Sequence, residues 1–350
     1  MNEPDRKMKK RILITGANGF VGSNLTKVLS RESSFEVFAM VRPKAPVDFL
    51  RDFQNKPDSE EKWFELVEAN LLSEESMFNA CKGMDVVIHL AGFVSDWGER
   101  KRYWQLNVGG TQNVLAAATK AKVSRVLFLS SLTVHGLKGH KYDNENTPRN
   151  IKRFPYGESK KIGEDLVFDW GEKNPNSDSA IIRPGFIIYG PYDENSFIRA
   201  LDFIASGKFA FINGGRRLIS YVYVENLCYG IMQLVKAQEI KGAYNILDGN
   251  TTWRNWVGFW EKANNKKVIK FSVPYIFVVP ITALLVGFYK LFKIKKDPPL
   301  TFYRISTMRR DLAYVNTRIT SEIGYDPPVK MEDGIQKTLE FYYETKKKSK

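Results

Sequence analysis

Short apolar runs rich in β-branched residues alternate with segments of helical period through the first half of this chain. The runs fall at residues 11–15, 36–41, 63–68, 85–90, 125–129 and 180–183, and each reads as a strand. Between them, residues 19–30, 77–82 and 103–122 carry helical patterns. Residues 85–90 are almost continuously apolar, as expected of a strand buried on both faces. Strands separated by helices in this way predict an α/β fold, a doubly wound parallel sheet with helices on both sides. After Pro184 the pattern changes. Strand-like runs become rarer, aromatic helical segments and loops take over, and only the run at 243–247 looks set to rejoin the main sheet. Two interleaved units are expected: residues 1–183, with 220–248 partly returning to them, and a smaller unit over 184–350.

The length of 350 residues suffices for a large core, and 43% hydrophobic with 26% charged residues is ordinary for a globular chain. Cys81 and Cys228 stand far apart without metal-ligand spacing, so neither a disulfide framework nor a metal site is expected. That suits a reducing, cytoplasmic setting. The polar N-terminal residues run straight into the first strand with no apolar leader of the secretory kind. A net charge of +14 asks for a reason beyond solubility. The lysines cluster at the termini and around one apolar segment and do not line a recognition helix, so nucleic acid is not an expected partner. An anionic membrane surface or a phosphorylated cofactor remains.

Chemistry enters at the first strand. The run ending at Thr15 is followed by Gly16, Ala17, Asn18, Gly19, Phe20, Val21 and Gly22 and then by a helical pattern. A glycine at 16 permits a tight turn, one at 19 lets the backbone approach a pyrophosphate, and one at 22 lets helix and strand pack closely. The helix N-terminus offers free N–H groups and a positive dipole end to the anion. The strand before and the helix after raise this above an isolated glycine turn, and a dinucleotide is the expected ligand. Twenty residues past Gly22, at the end of the second strand, stands Arg42, with Lys44 close by. An acid there would bind the ribose hydroxyls of NAD. A guanidinium suits a 2′-phosphate, so NADP(H) is favoured over NAD(H).

A second constellation lies downstream. Tyr156 and Lys160 are four apart on a helical segment and so share a face. A nearby ammonium favours the phenolate and is expected to lower a phenol pKa of about 10 toward useful acid–base work. Ser131, at the end of the fifth apolar run, would donate to the same substrate oxygen.

Together these residues make the chain resemble an extended short-chain dehydrogenase/reductase, of the NAD-dependent epimerase/dehydratase superfamily, over nearly its full length. The glycine pattern, Ser131, Tyr156 and Lys160 match that family's motifs, and the 25-residue gap from Ser131 to Tyr156 is typical of it. The resemblance implies a Rossmann-type cofactor domain and a C-terminal substrate-binding subdomain. It implies that Asn107 helps hold a relay water and the neighbouring lysine. His89, Leu90 and Ala91 match the strand end that lines the cofactor, which makes His89 a packing residue. Arg183, Pro184, Gly185 and Phe186 resemble the segment against the nicotinamide. Asn70, followed by Leu71, stands where members place an aspartate near the adenine. Dimerisation through a helix bundle is common in the family.

Two features bear on the branch. Sugar-nucleotide epimerases and dehydratases usually carry Arg-Asp just before the segment 221–226, where this chain has Ile219 and Ser220. Val224, Glu225 and Asn226, with the segments at 298–301, 324–325 and 334–335, look more like the 3β-hydroxysteroid or sterol dehydrogenase branch, near the dihydroflavonol reductases. Residues 273–292 form an apolar stretch with one charge, Lys290, and lysines on both sides. Either it is a buried or lid helix over a hydrophobic pocket, or it attaches the protein to a membrane surface through 273–296. Both readings imply a lipophilic small-molecule substrate, and hence an NAD(P)-dependent oxidoreductase acting on its hydroxyl or ketone. The alternative is a sugar-nucleotide epimerase or dehydratase with retained NAD.

Overall fold

The computed structural model describes residues 9–57, 61–193, 210–263, 265, 271–294 and 296–348. Its main sheet has seven strands in the order β3 (Phe64–Glu68), β2 (Phe35–Val41), β1 (Lys10–Thr15), β4 (Val86–His89), β5 (Arg125–Leu129), β7 (Asp178–Pro184) and β11 (Lys241–Ile246). Every pairing in it is parallel. The side-chain period of two sends Ile12 and Ile14 to the core on one face and Leu13 to the core on the other. The first core is closed by α1 (Phe20–Ser30) and the second by α2 (Glu74–Cys81), α3 (Gly110–Lys120) and α4 (Pro155–Lys173). The chain winds outward from β1 to β3, then jumps back to β4 beside β1. That reversal leaves a crevice at the C-terminal strand ends, where open α/β sheets take their ligands.

Strands are not rarer after Pro184. Seven of the fourteen in the described residues begin there, but they are three to six residues long, too short for their period to stand out. Four of them, β8 (Ile187–Tyr189), β10 (Leu218–Tyr223), β12 (Gly249–Thr252) and β14 (Leu312–Tyr314), join β6 (His140–Asp143) in a second sheet. The return to the main unit is narrower than 220–248. It consists of α5 (Val224–Lys236), whose Leu227, Ile231 and Val235 share the core of α1, and of β11 at the sheet edge. Below the second sheet come α6 (Trp253–Ala263), α7 (Tyr275–Leu291) and the short α8 (Phe302–Thr307). Cys81 and Cys228 are both free and buried.

One ion pair fixes α4 to the sheet. Glu164 has no solvent exposure, and Arg183 on β7 has 2%. Arg183 donates from Nε at 2.8 Å and Nη2 at 2.7 Å, one to each carboxylate oxygen, while Ser130 donates from Oγ at 2.6 Å. Arg149 adds a longer contact of 3.3 Å. Removing the charge from one side of such a pair leaves the other buried and uncompensated, which costs on the order of 3–5 kcal/mol. Glu164→Gln is therefore expected to lower the unfolding free energy by that amount, seen as a lower urea midpoint at unchanged m. Lys161→Ala, which removes only a half-buried surface pair with Asp165, is expected to cost about 1 kcal/mol or less. Equal small losses in both would mean that the buried pair does not anchor the helix.

Candidate active site

Six of the expected segments follow six strands of one parallel sheet, so the fold gathers them along one edge. The glycine turn follows β1, Arg42 follows β2, Asn70 comes after β3, Leu90 and Ala91 follow β4, Ser131 comes after β5, and Phe186 lies just past Pro184 of β7.

The glycine turn has the geometry its spacing implies. Gly16 sits at φ +71°, and a Cβ there would come within 2.9 Å of the Ala91 backbone. A Cβ on Gly22 would lie 2.2 Å from the Gly16 carbonyl oxygen, so only glycine lets α1 start this close to β1. Gly19 caps α1 without a side chain, is exposed, and has only the Gly16 oxygen near the place of its missing Cβ. The first intrahelical bond is Ser23 N–H to Gly19 O, at 2.8 Å. The N–H groups of Phe20, Val21 and Gly22 thus precede it and are left for an external acceptor. This cradle of backbone donors at a positive helix end fits a pyrophosphate. Asn18 and Phe20 flank it half-buried, and Val21 packs into the core.

A polar thread ties this turn to the rest of the edge. The Ala91 N–H donates to Thr15 Oγ1 at 3.1 Å, which pairs with His89 Nδ1 at 2.9 Å. His89 Nε2 pairs with Thr111 Oγ1 at 3.0 Å, and Thr111 donates to the Asn107 carbonyl at 2.6 Å. The directions require a proton on Nε2, and a neutral ring then leaves Nδ1 to accept from the Thr15 hydroxyl. Burial, with Lys160 adding to it, pushes the His89 pKa down to about 3. His89 is a structural link, as the sequence implied.

The side chain of Asn107 is tied to the loop after β4 and to α4. It lies on a π-helical turn, Trp104–Gly109, that leads into α3. Its Oδ1 accepts from the Phe93 N–H at 2.6 Å, and its Nδ2 donates to the Phe93 carbonyl at 3.1 Å and to Ser159 Oγ at 2.9 Å. The amide is spent on holding the loop after β4 to α4. Asn70 is likewise engaged: its Oδ1 accepts from the Leu72 N–H at 3.0 Å, shaping the turn before α2. Leu71 packs against the face of Gly110. Arg42 and Lys44 are exposed, Lys44 in the left-handed region at φ 60°.

Ser131 and Tyr156 are half-buried, whereas Asn107 and Lys160 are buried beneath them. Gly157 makes their approach possible, since a Cβ there would lie 2.7 Å from Ile151 and 3.4 Å from Thr133. Ser131 neighbours the Tyr156 phenol and is hydrogen-bonded at 2.5 Å to the Thr133 hydroxyl. Burial pushes the phenol up to about 12, the Ser131 hydroxyl opposes this, and Tyr103 adds to it. The expected lowering by Lys160 is absent from the protein chain by itself. The Lys160 ammonium instead donates to the Leu129 carbonyl at 2.7 Å and lies over the Phe128 ring. Burial lowers its pKa to about 8, and Glu164 one turn on resists the fall.

Three groups escaped the sequence reading. Tyr303 on α8 neighbours Thr133, extending the row of hydroxyls from Tyr156 through Ser131 and Thr133. Its ring meets Phe154 edge-on at 5.5 Å. Asp96, in the loop after β4, holds Arg304 through Nε at 2.7 Å and Nη2 at 2.9 Å, and accepts from Thr301. This pair brings α8 to the site. No local pattern signals it, since the partners lie 208 residues apart. Arg183 does not face the edge at all, being turned into the core toward Glu164. Phe186 packs near the Tyr314 ring at 6.0 Å.

The model of the NAD dependent epimerase/dehydratase family matches residues 12–246. An N-acetyl-alpha-D-glucosaminyl-diphospho-ditrans,octacis-undecaprenol 4-epimerase of Escherichia coli O157:H7 is 28% identical, over 97% of this chain and 98% of its own length. The human sterol-4-alpha-carboxylate 3-dehydrogenase, decarboxylating, is 25% identical, over 97% and 90%. A UDP-glucuronic acid 4-epimerase from Bacillus cereus, solved with NAD, superposes with a TM-score of 0.74 at 20% identity, covering 96% of this chain and 99% of that one, which is a likeness of fold.

The buried histidines set an acid limit on the fold. His135 also has its pKa pushed down to about 3, by burial and then by Arg183. An unfolded chain protonates histidine near pH 6.5, whereas these two stay neutral in the folded protein. Between pH 6.5 and 3 the unfolded state therefore binds more protons, so stability falls as the pH falls. From pH 6.5 to 5 the two are expected to cost about 3 kcal/mol, offset by about 1 kcal/mol from Asp248, whose carboxyl is pushed up to about 6 by burial and takes its proton in the folded state. Urea unfolding at a series of pH values checks this, and a flat profile over that window would contradict it.

Proposed function

The chain belongs to the NAD dependent epimerase/dehydratase family, and from that premise we propose that it interconverts a secondary alcohol and a ketone on a bulky apolar molecule, sterol-like or long-chain. The observation that carries this reading is the half-exposed Ser131–Tyr156 pair above buried Lys160, on the same sheet edge as the glycine turn. Backbone N–H groups of Phe20, Val21 and Gly22 would hold the dinucleotide pyrophosphate. When bound, the nicotinamide supplies or accepts the hydride. Ser131 donates to the substrate oxygen and fixes its position. Tyr156 gives that oxygen a proton in reduction and takes it in oxidation. A phenol near 12 is protonated at neutral pH and stands ready as the acid. Lys160, held by the Leu129 carbonyl, keeps a buried positive group on the same edge. The aromatic ring of Tyr303 and the helix α7 outside it support an apolar substrate.

Arg42 and Lys44, exposed at the end of β2, support NADP(H) as the preferred cofactor. A second reading is an epimerase acting on a sugar carried by a polyprenyl diphosphate, supported by the 28% identity to the undecaprenol-linked epimerase over nearly both full lengths. Against it, Ile219 is buried and Ser220 is tied to Asn250 and Leu312, so neither offers a diphosphate anchor.

Two measurements test these readings. Tyr156→Phe is expected to bind NAD(P)H like the wild type while turnover of an apolar ketone drops by about 10²-fold or more; full turnover in that variant would remove Tyr156 from the chemistry. In the same ketone assay the dehydrogenase consumes reduced cofactor mole for mole, whereas an epimerase leaves it unchanged. Fluorescence titration of the wild type is expected to give tighter binding of NADPH than of NADH, with the preference lost in Arg42→Ala. Tighter NADH binding that ignores the substitution would reverse the cofactor assignment.

A further inference from the structure

The apolar stretch at 273–292 is neither a span nor a covered lid. Among the described residues no helix is long and apolar enough to cross a membrane. Helix α7 lies along the protein with one stripe inward. Val278, Thr282 and Val286 are its buried residues, and Val278 packs with Ile212 and with Ile305 of α8. Its other side is just as apolar and faces outward. Ile276, Leu284 and Leu291 are 73%, 77% and 76% exposed, and Phe277, Ile281, Phe288 and Phe292 are all more than half exposed. Lone exposed apolar side chains are ordinary, but six on one helix, with Phe292 at its C-cap, make a patch that marks an interaction surface.

The charge around this patch names the partner. From residue 262 to 296 the sequence contains eight lysines and no acidic residue, so one tenth of the chain supplies more than half of the net +14. Lys290, Lys293 and Lys296 are exposed at the C-terminal end of the helix, and Lys266, Lys267 and Lys270 precede it in the sequence. Both ends are therefore basic. A second copy of the chain is a poor occupant, because a two-fold interface sets this patch against itself and opposes lysines in either orientation. We propose that α7 docks in the plane of an anionic phospholipid bilayer. Its outer stripe enters the acyl boundary, and the lysines meet the headgroups. The inner stripe pins the helix lengthwise to the protein, which keeps it in the interface. Tyr289, whose ring meets Trp97 edge-on at 6.3 Å, and α8 with Tyr303 link this surface to the active edge. The docking surface is independent of the substrate proposed above.

Sedimentation with phosphatidylcholine vesicles, with and without phosphatidylglycerol, tests this on the full-length protein. The wild type is expected to sediment with the anionic vesicles and far less with the neutral ones. The triple variant Phe277→Ser, Leu284→Ser, Leu291→Ser is expected to lose more than about tenfold in partitioning. Lys290→Gln with Lys293→Gln and Lys296→Gln is expected to lose about a hundredfold on anionic vesicles only, from roughly fivefold per lysine near the surface. Unchanged NAD(P)H binding certifies the fold of each variant, and the lysine set stands as the test if the serine set fails that control. Absence of wild-type binding to anionic vesicles would overturn the proposal. So would a serine variant that binds vesicles normally while shifting a wild-type dimer to monomer in sedimentation velocity, since the patch would then be a self-interface.

Discussion

Glu164 is a carboxylate without access to water, and Arg183, Arg149 and Ser130 all donate to it. Desolvating such a cluster is expensive, and apolar residues of the same volume would often give an equally stable core. What the cluster supplies is position and charge. Glu164 lies one turn beyond Lys160 on α4, and its negative charge is what resists the fall of the Lys160 pKa in the same buried layer. The same carboxylate grips β7 through Arg183 and the end of β5 through Ser130. One side chain thus sets where the helix bearing Tyr156 sits and keeps a cation beneath it.

The thread through Thr15, His89, Thr111 and Asn107 does for the cofactor edge what Glu164 does for α4. Each member has its donors and acceptors satisfied by the next, so the ends of β1 and β4 and the π turn are held in one register. A neutral imidazole is essential to that ordering. A charged ring would donate from both nitrogens, so Thr15 Oγ1 would accept from His89 as well as from the Ala91 N–H and its own hydrogen would lose its acceptor. The acid sensitivity and the rigidity of the edge share this cause.

The parts of the site that were legible in the sequence are those built from contiguous strand–turn–helix units. Gly16, Gly19 and Gly22 follow an apolar run, Ser131 ends another, and Tyr156 and Lys160 are separated by one helical turn, so local spacing carries their geometry. Tyr303 and the Asp96–Arg304 pair were not legible, because they are joined only by the packing of α8 against a loop 208 residues earlier in the chain. Asn107 was found, but the use of its amide was not, since Phe93 and Ser159 reach it only in the folded chain. The effect of Lys160 on the phenol was misjudged for a similar reason. Sharing a helix face brings two side chains near one another, but the Leu129 carbonyl offered the ammonium a better partner.

The apolar helix shows the same limit from the other side. Its composition was plain in the sequence, and its exposure was not, because burial depends on which segments the fold lays over it. Only one stripe of α7 found protein to pack against, and the outer stripe keeps its apolar area in water unless something else covers it. The inner stripe simultaneously supports α8, and α8 presents Tyr303 and Arg304 to the active edge. A lipophilic molecule held in a bilayer pays least to reach a reacting centre that lies close to the acyl boundary, since every apolar group carried through water costs in proportion to its area. If α7 docks on a bilayer as proposed, its inner side backs α8 and the path stays short.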